Sequence, residues 1–212
     1  MSTVERKLRD RGFRLIAGTD EVGRGALAGP VVAAAVILDD DPTVLGVNDS
    51  KVLDAGGRSL VCELVLRRAR AFAIGVVEPH VIDRINILQA SKMAMLQAVQ
   101  NLDYRPDCLV LDAVVLENLE LPQLPLIKGD RRCISVAAAS VIAKVYRDTL
   151  MESYHGDHPE YDFAHNRGYG TEQHLAALSR LGPTAIHRKS FLGLNGSGSL
   201  FDLAREDGGS AR

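Results

Sequence analysis

Cysteine is scarce in this sequence: three in 212 residues. Cys62, Cys108 and Cys133 are widely spaced, odd in number and set among apolar neighbours. This excludes a disulfide framework and predicts buried free thiols. No Cys or His falls at zinc-ligand spacing, which argues against a zinc site. Long hydrophobic runs are also missing, and none approaches the length of a transmembrane helix. The charged, polar N-terminus is unlike a signal peptide. The expectation is a cytoplasmic protein without a membrane partner. Nor does charge of one sign dominate: 25 Lys and Arg against 27 Asp and Glu leave a net charge of −2. That argues against a nonspecific nucleic-acid coat, whose footprint is strongly basic. It leaves room for an enzyme with one local basic face, because basic residues do cluster. Lys128, Arg131, Arg132, Lys144 and Arg147 fall in one segment, and Arg167, His187, Arg188 and Lys189 in another. With no internal repeat and no linker between two cores, the length fits one domain, here taken as residues 1–194. Residues 195–212 lose all periodicity and read as a flexible tail. Ser199-Leu200-Phe201-Asp202-Leu203 within it reads as a stray turn or, alternatively, a docking peptide for a partner. Nothing in the sequence demands more than a monomer.

What the sequence does contain is organised around Gly18-Thr19-Asp20-Glu21-Val22-Gly23-Arg24-Gly25-Ala26-Leu27-Ala28-Gly29-Pro30. An apolar run leads into it and a second, Val31 to Leu38, follows. Two strands joined through Gly-Arg-Gly suit a hairpin or tight loop. Two carboxylates at the end of a buried strand are costly unless something positive meets them, and a metal ion is the simplest such partner.

Along the chain, Ser2 and Glu5 stand at capping-box spacing before a short helix over 2–11. Strands follow at 13–19 and 30–38, then an acidic turn at 39–42. Asn48-Asp49-Ser50-Lys51 lies in a loop. Four-residue spacing of Leu60 with Leu64 and of Val61 with Val65 predicts a helix over 57–68, and 71–77 reads as a strand. Asn86 caps a helix to Leu102 with Leu88, Met95, Val99 and Leu102 on one face. Cys108–Leu111 is a continuous apolar run, as in a strand buried on both faces. A strand at 124–127 and a long helix from Cys133 to Tyr154 follow, the latter with an Ala137-Ala138-Ala139 patch suited to close packing on a sheet. Residues 155–170 read as an irregular loop. Thr171 caps a helix to Leu181, closed by Gly182-Pro183.

Strands in this reading end in acids. Leu15–Thr19 runs into Asp20-Glu21, Cys108–Leu111 into Asp112, and Leu124–Ile127 is followed by Asp130. Sites in open α/β sheets form where strand ends converge. Four carboxylates gathered there would bind hard divalent cations, and paired ions suit phosphoryl transfer. Each acid also has a structural alternative. Asp130 can cap the long helix and Asp112 can be a turn residue. Neighbouring strand residues face opposite ways, so Asp20 and Glu21 share a site only if the strand breaks between them or one contributes its carbonyl.

Gly23-Arg24-Gly25 lets backbone approach a ligand closely. Tyr169, between two glycines, is either a stacking aromatic or a core tyrosine. Ser140, Lys144 and Asp148 line one stripe of the long helix, as a surface ion pair or as a face offered to phosphates.

Several of these segments together resemble one family. Asp20-Glu21-Val22-Gly23-Arg24-Gly25 with Ala28-Gly29-Pro30-Val31-Val32-Ala33-Ala34 resembles the opening motif of the ribonuclease HII family, and Asp49-Ser50-Lys51 is similar to its second. Lys128-Gly129-Asp130 with the stretch from Ser135 to Asp148 resembles the long central motif. Gly168-Tyr169-Gly170-Thr171, His174, His187-Arg188 and Ser190-Phe191 resemble the C-terminal block. These motifs are collinear from about residue 15 to 192. The resemblance implies a ribonuclease H-like α/β fold, a mixed central sheet flanked by helices with a small helical C-terminal region. It implies hydrolysis of the RNA strand of RNA–DNA hybrids and cutting 5′ of single ribonucleotides embedded in duplex DNA, leaving 3′-hydroxyl and 5′-phosphate ends. The implied cofactor is Mn²⁺ or Mg²⁺, held by Asp20, Glu21, Asp112 and Asp130. Gly23, Arg24 and Gly25 would read the 2′-hydroxyl, the group that separates RNA from DNA. Tyr169 would pack on the adjacent deoxyribose, and Lys51, Ser140 and Lys144 complete the implied substrate contacts.

The sequence departs from the family pattern twice. Ala113 stands where the family often has glycine, a harmless change if φ there is negative. Val52-Leu53 replaces a lysine-leucine pair and so removes one phosphate contact. The rival readings are another nuclease or resolvase of the same fold, a catalytically silent nucleic-acid-binding module, and a Mg²⁺-dependent small-molecule phosphatase. The four intact acids speak against the silent module.

Overall fold

The structure is a computed structural model that describes residues 2–39, 55–117 and 119–194. The acidic turn beyond Asp39, the Asp49-Ser50-Lys51 motif with Val52-Leu53, and the tail 195–212 lie outside the described residues. The expectations for Lys51 and for a docking peptide fall there too.

Helix α1 (Thr3–Asp10) opens the fold with the expected capping box between Ser2 and Glu5. Among the described residues, five strands form one sheet in the order β3-β2-β1-β4-β5. Strands β1 (Ile16–Val22), β2 (Val31–Leu38) and β3 (Ala69–Val77) are antiparallel neighbours, while β4 (Cys108–Asp112) and β5 (Gln123–Leu126) run parallel to β1. The sheet is therefore mixed, as expected. Helices cover both faces: α2 (Ala55–Arg68) and the long α6 (Ile134–Asp157) on one, α4 (Ile87–Gln100) on the other.

This double cover explains why β2 is buried at every position. Its odd residues, Val31, Ala33, Ala35 and Ile37, pack with Ala90, Ala94 and Ala98 of α4. Its even residues, Val32, Ala34, Val36 and Leu38, pack with Val61 and Val65 of α2 and the Ala137-Ala138-Ala139 patch of α6. Small residues set the spacing. Gly18 of β1 lies so close to α6 that a Cβ would collide with the Ser135 and Val136 backbone. The three cysteines are free and buried, as their spacing predicted. No described helix is long and apolar enough to cross a membrane.

Several boundaries differ from the sequence reading, each for a tertiary reason. Strand β1 does not stop at Thr19; its pairing with β2 continues through Glu21↔Ala33 and Val22↔Val32. In α2, Val61 and Val65 face the core whereas Leu60 and Leu64 are exposed. Leu88 of α4 also points outward, leaving Met95, Val99 and Leu102 inside. Two short helices were not foreseen: α3 (Pro79–Ile85), with Pro79 in its first turn, and α5 (Gly129–Arg132). The stretch read as an irregular loop holds a 3₁₀ turn at Pro159–Tyr161 and α7 (Phe163–Asn166). Thr171 caps α8 (Glu172–Leu181) as expected. Met151 of α6, Tyr161, Phe163, Ala177, Leu178 and Leu192 form the core under this C-terminal region, and Ala28 from the β1–β2 connection belongs to it.

Candidate active site

Alternation along β1 sends Ala17 into the core under α4 and turns Gly18 and Asp20 toward α6. The pairing of β1 with β4 ends at Thr19↔Leu111, although pairing with β2 goes on. From Asp20 onward, one edge of β1 is thus open beside Asp112, the last residue of β4. Asp20, Glu21 and Asp112 line a cavity of about 310 Å³ there, together with Ser140, Val141 and Lys144 of α6. Val22 of β1 and Arg58 of α2 complete its wall. The two neighbouring acids share the site without a break in the strand.

The electrostatics are those of crowded carboxylates. Burial pushes Asp20 up to about 7, against a hydrogen bond from Ser140; the charges of Glu21 and Asp112 raise it further. Burial also raises Glu21, and Arg24 opposes that shift through a 3.0 Å ion pair to Oε1. The other oxygen, Oε2, is buried with no hydrogen-bond partner. Asp112 is held by the backbone N–H of Gly129, which donates to Oδ1 at 2.7 Å. Lys144 pairs with Asp148 at 2.6 Å.

A divalent cation fits this donor set. A buried oxygen without a donor, and a carboxyl driven toward neutrality by burial and then by its neighbours' charges, are both relieved by positive charge. An all-oxygen set with hard carboxylates suits Mg²⁺ or Mn²⁺ rather than zinc. Asp130 is buried on α5, next to the Gly129 that holds Asp112, but it does not line the cavity. Among the described residues, no three His, Cys, Asp or Glu side chains close into a finished coordination group.

The glycine turn next to the acids is fixed by two arginines, Arg147 and Arg188, one from each of the basic clusters. Both are fully buried. Arg147 of α6 donates to the carbonyls of Pro30, Ala28 and Arg167 at 3.0, 3.1 and 2.9 Å. Arg188 donates to those of Gly29, Arg24 and Gly23 at 3.0, 2.9 and 2.7 Å. Gly23 has φ +89°, and a Cβ there would run into the Arg147 side chain. His187 is buried as well. The clusters are therefore not one basic face: Arg147, His187 and Arg188 are spent inside, while Arg131 and Arg132 stay exposed.

Tyr169 is 38% exposed, so it is not a core tyrosine. The Arg147 guanidinium lies 5.6 Å from its ring centroid, and a Cβ on Gly25 would sit 4.0 Å from the ring. The structure thus gathers Gly23, Arg24, Gly25 and Tyr169 around one connection, and Asp20, Glu21, Asp112, Ser140 and Lys144 around the adjoining cavity. No local motif marks Arg58 as part of the cavity wall, and none marks the burial of Arg147 and Arg188. Ala113 has φ +56°, so its replacement of glycine is not harmless: it holds an L-residue in the left-handed region.

The ribonuclease HII family model matches residues 17–193. The chain belongs to the ribonuclease HII family. It is a ribonuclease H, a hydrolase acting on RNA in RNA–DNA hybrids. It is 52% identical over 191 residues to the ribonuclease HII of Bacillus subtilis, covering 90% of this chain and 74% of that one. It is also similar to the RNase HII of Archaeoglobus fulgidus, solved in a complex with PCNA, at TM-score 0.72 and 26% identity, over 89% of this chain and all of the other. Bst-RNase HIII, solved with Mn²⁺, shares the fold at TM-score 0.68 and 21% identity, over 92% of this chain and 70% of that one. The mixed sheet and its flanking helices are those of a ribonuclease H-like α/β fold.

Proposed function

We propose that this ribonuclease H cuts on the 5′ side of single ribonucleotides embedded in duplex DNA, as well as within hybrids, leaving 3′-hydroxyl and 5′-phosphate ends. Asp20, Glu21, Asp112 and Asp130 hold Mn²⁺ or Mg²⁺ in this reading. The observation that carries it is the cavity where Asp20, Glu21 and Asp112 converge, with a buried Glu21 oxygen left unpaired. Two bound ions would supply an activated water and stabilise the departing 3′-oxygen.

The chain's own residues bind, orient and discriminate. Ser140 steadies the Asp20 carboxylate by a hydrogen bond, and the Gly129 N–H orients Asp112. Lys144, at the cavity wall, meets substrate phosphate. The Gly23–Gly25 backbone reads the 2′-hydroxyl. Its carbonyls at Gly23 and Arg24 are tied inward by Arg188, which fixes the peptide groups before substrate arrives. Tyr169, exposed beside Gly25, packs on the neighbouring deoxyribose and so senses the RNA–DNA junction.

Asp20→Asn and Asp130→Asn, each assayed for hybrid binding and hybrid cleavage, test the site. Cleavage is abolished in both while binding is retained. Unchanged cleavage in both would remove these acids from the reaction.

A further inference from the structure

Two buried histidines, His174 of α8 and His187, stand behind Tyr169 with their Nε2 atoms 3.1 Å apart. Neither touches the acidic cavity. Their hydrogen-bond partners fix both tautomers. His174 Nδ1 lies 2.9 Å from the carbonyl oxygen of Tyr169, which can only accept, so Nδ1 carries the proton. Thr184 N–H donates to His187 Nδ1 at 2.9 Å, so that nitrogen accepts and its Nε2 carries the proton. The bond between the rings then runs from His187 Nε2–H to the bare Nε2 of His174. The result is one unbroken chain from Thr184 through two neutral imidazoles to Tyr169.

The rings are walled by Tyr161 and Phe163, whose centroids lie 4.9 Å from His187 and 5.4 Å from His174. Water has no easy access to replace a lost bond there. The chain ends on the peptide of Tyr169, whose side chain is exposed beside the glycine turn. Two backbone bonds, both at 2.9 Å, anchor the same residue: Tyr169 N–H donates to Asn166, and Thr171 N–H shares the Tyr169 carbonyl. His174 adds a side-chain anchor reaching that carbonyl.

We infer that His174 and His187 are positioning residues for Tyr169, a neutral imidazole pair that sets where the aromatic ring meets the substrate sugar. This rests on the proposed role of Tyr169 at the RNA–DNA junction. The pair acts on substrate only through that ring.

Side-chain geometry offers a sharp test. His174→Asn places an amide N–H where Nδ1–H stood and keeps the bond to Tyr169. His174→Gln keeps an acceptor for His187 but withdraws the donor from Tyr169. Both variants, Tyr169→Ala, and the Tyr169→Ala/His174→Gln double variant are assayed for kcat and KM on a duplex with one ribonucleotide and on a uniform hybrid. The expected result for His174→Gln is a rise in KM of roughly five- to tenfold on the single-ribonucleotide duplex. Its kcat and its hybrid cleavage change little. His174→Asn keeps the donor to Tyr169 but leaves His187 Nε2–H without its acceptor, so its rise in KM is smaller than that of His174→Gln. The double variant is no worse than Tyr169→Ala alone in KM and kcat, because the pair acts on substrate only through the Tyr169 ring. Multiplying defects, or equal losses for Asn and Gln, would overturn the proposal and leave the junction reading intact. An unchanged single-ribonucleotide preference in Tyr169→Ala would overturn both.

Discussion

Arg188 Nη2 donates to the carbonyl oxygen of Gly23 at 2.7 Å, linking the C-terminal block to the glycine turn 165 residues earlier. The same guanidinium holds Arg24 and Gly29. A planar fork that satisfies three carbonyls in a buried site has no equivalent in lysine. Arg188→Lys should therefore lower thermal stability by about 2–3 kcal/mol and cut cleavage of ribonucleotide-containing duplex more than tenfold. Thermal denaturation and single-turnover assays check the two effects. Full activity at normal stability would show that the turn does not need this clamp.

The position after Asp112 makes a prediction of opposite sign. Ala113 sits at φ +56°, where an L-residue carries a cost of about 1–2 kcal/mol. Glycine would remove that cost and give back part of it as chain entropy. Ala113→Gly should stabilise the protein by about 0.5–1 kcal/mol, read from the denaturant midpoint at constant slope. A destabilisation would mean that the left-handed backbone is not retained.

Asp20 gives a prediction about the metal-free protein. Its carboxyl is raised to about 7 from an ordinary 3.8, mainly by burial. The unfolded chain loses this proton near pH 4 and the folded chain only near pH 7. Stability from this group is thus full below pH 4 and is lost as pH rises to 7. In chelator at pH 8, Asp20→Asn should be about 1–3 kcal/mol more stable than the wild type, while inactive. Added Mg²⁺ or Mn²⁺ should raise the melting temperature of the wild type and do so far less for the variant. Equal metal shifts in both would remove Asp20 from the metal site.

His187 has the opposite sign. Burial above all, then His174 and His158, holds it down to about 4 from 6.5. On acidification the unfolded chain takes up the proton first, near pH 6.5. Stability from this group is full above pH 6.5 and is lost as pH falls toward 4. His187→Gln should flatten the stability profile over that window by about 2 kcal/mol. An identical slope in wild type and variant would assign acid sensitivity elsewhere.

The local signals were the legible ones. The Ser2–Glu5 capping box, Asn86 and Thr171 as caps, and the doubly buried Cys108–Leu111 run all appear where the sequence placed them. Each depends on neighbours within a few residues. What could not be read depends on distant partners. β1 runs past Thr19 because β2 stays paired beside it. Asp20 and Glu21 share one cavity because β4 pairing ends just before them. Arg147 and Arg188 looked like basic surface because nothing in a local motif separates an arginine that meets phosphate from one that meets buried carbonyls. The positive φ at Ala113 has no local signal either; its N–H bonds to Leu126, a partner on another strand. Asp130, expected as a fourth acid following a strand, lies instead on a short helix that no local signal announces.

The most direct test of the whole account is cleavage of duplex DNA carrying one ribonucleotide, with Mg²⁺ or Mn²⁺ and with chelator, beside an all-DNA duplex of the same sequence. The account predicts a single metal-dependent cut on the 5′ side of the ribonucleotide, with 3′-hydroxyl and 5′-phosphate ends and the all-DNA duplex intact. Cutting of both duplexes, or a cut that persists in chelator, would contradict it.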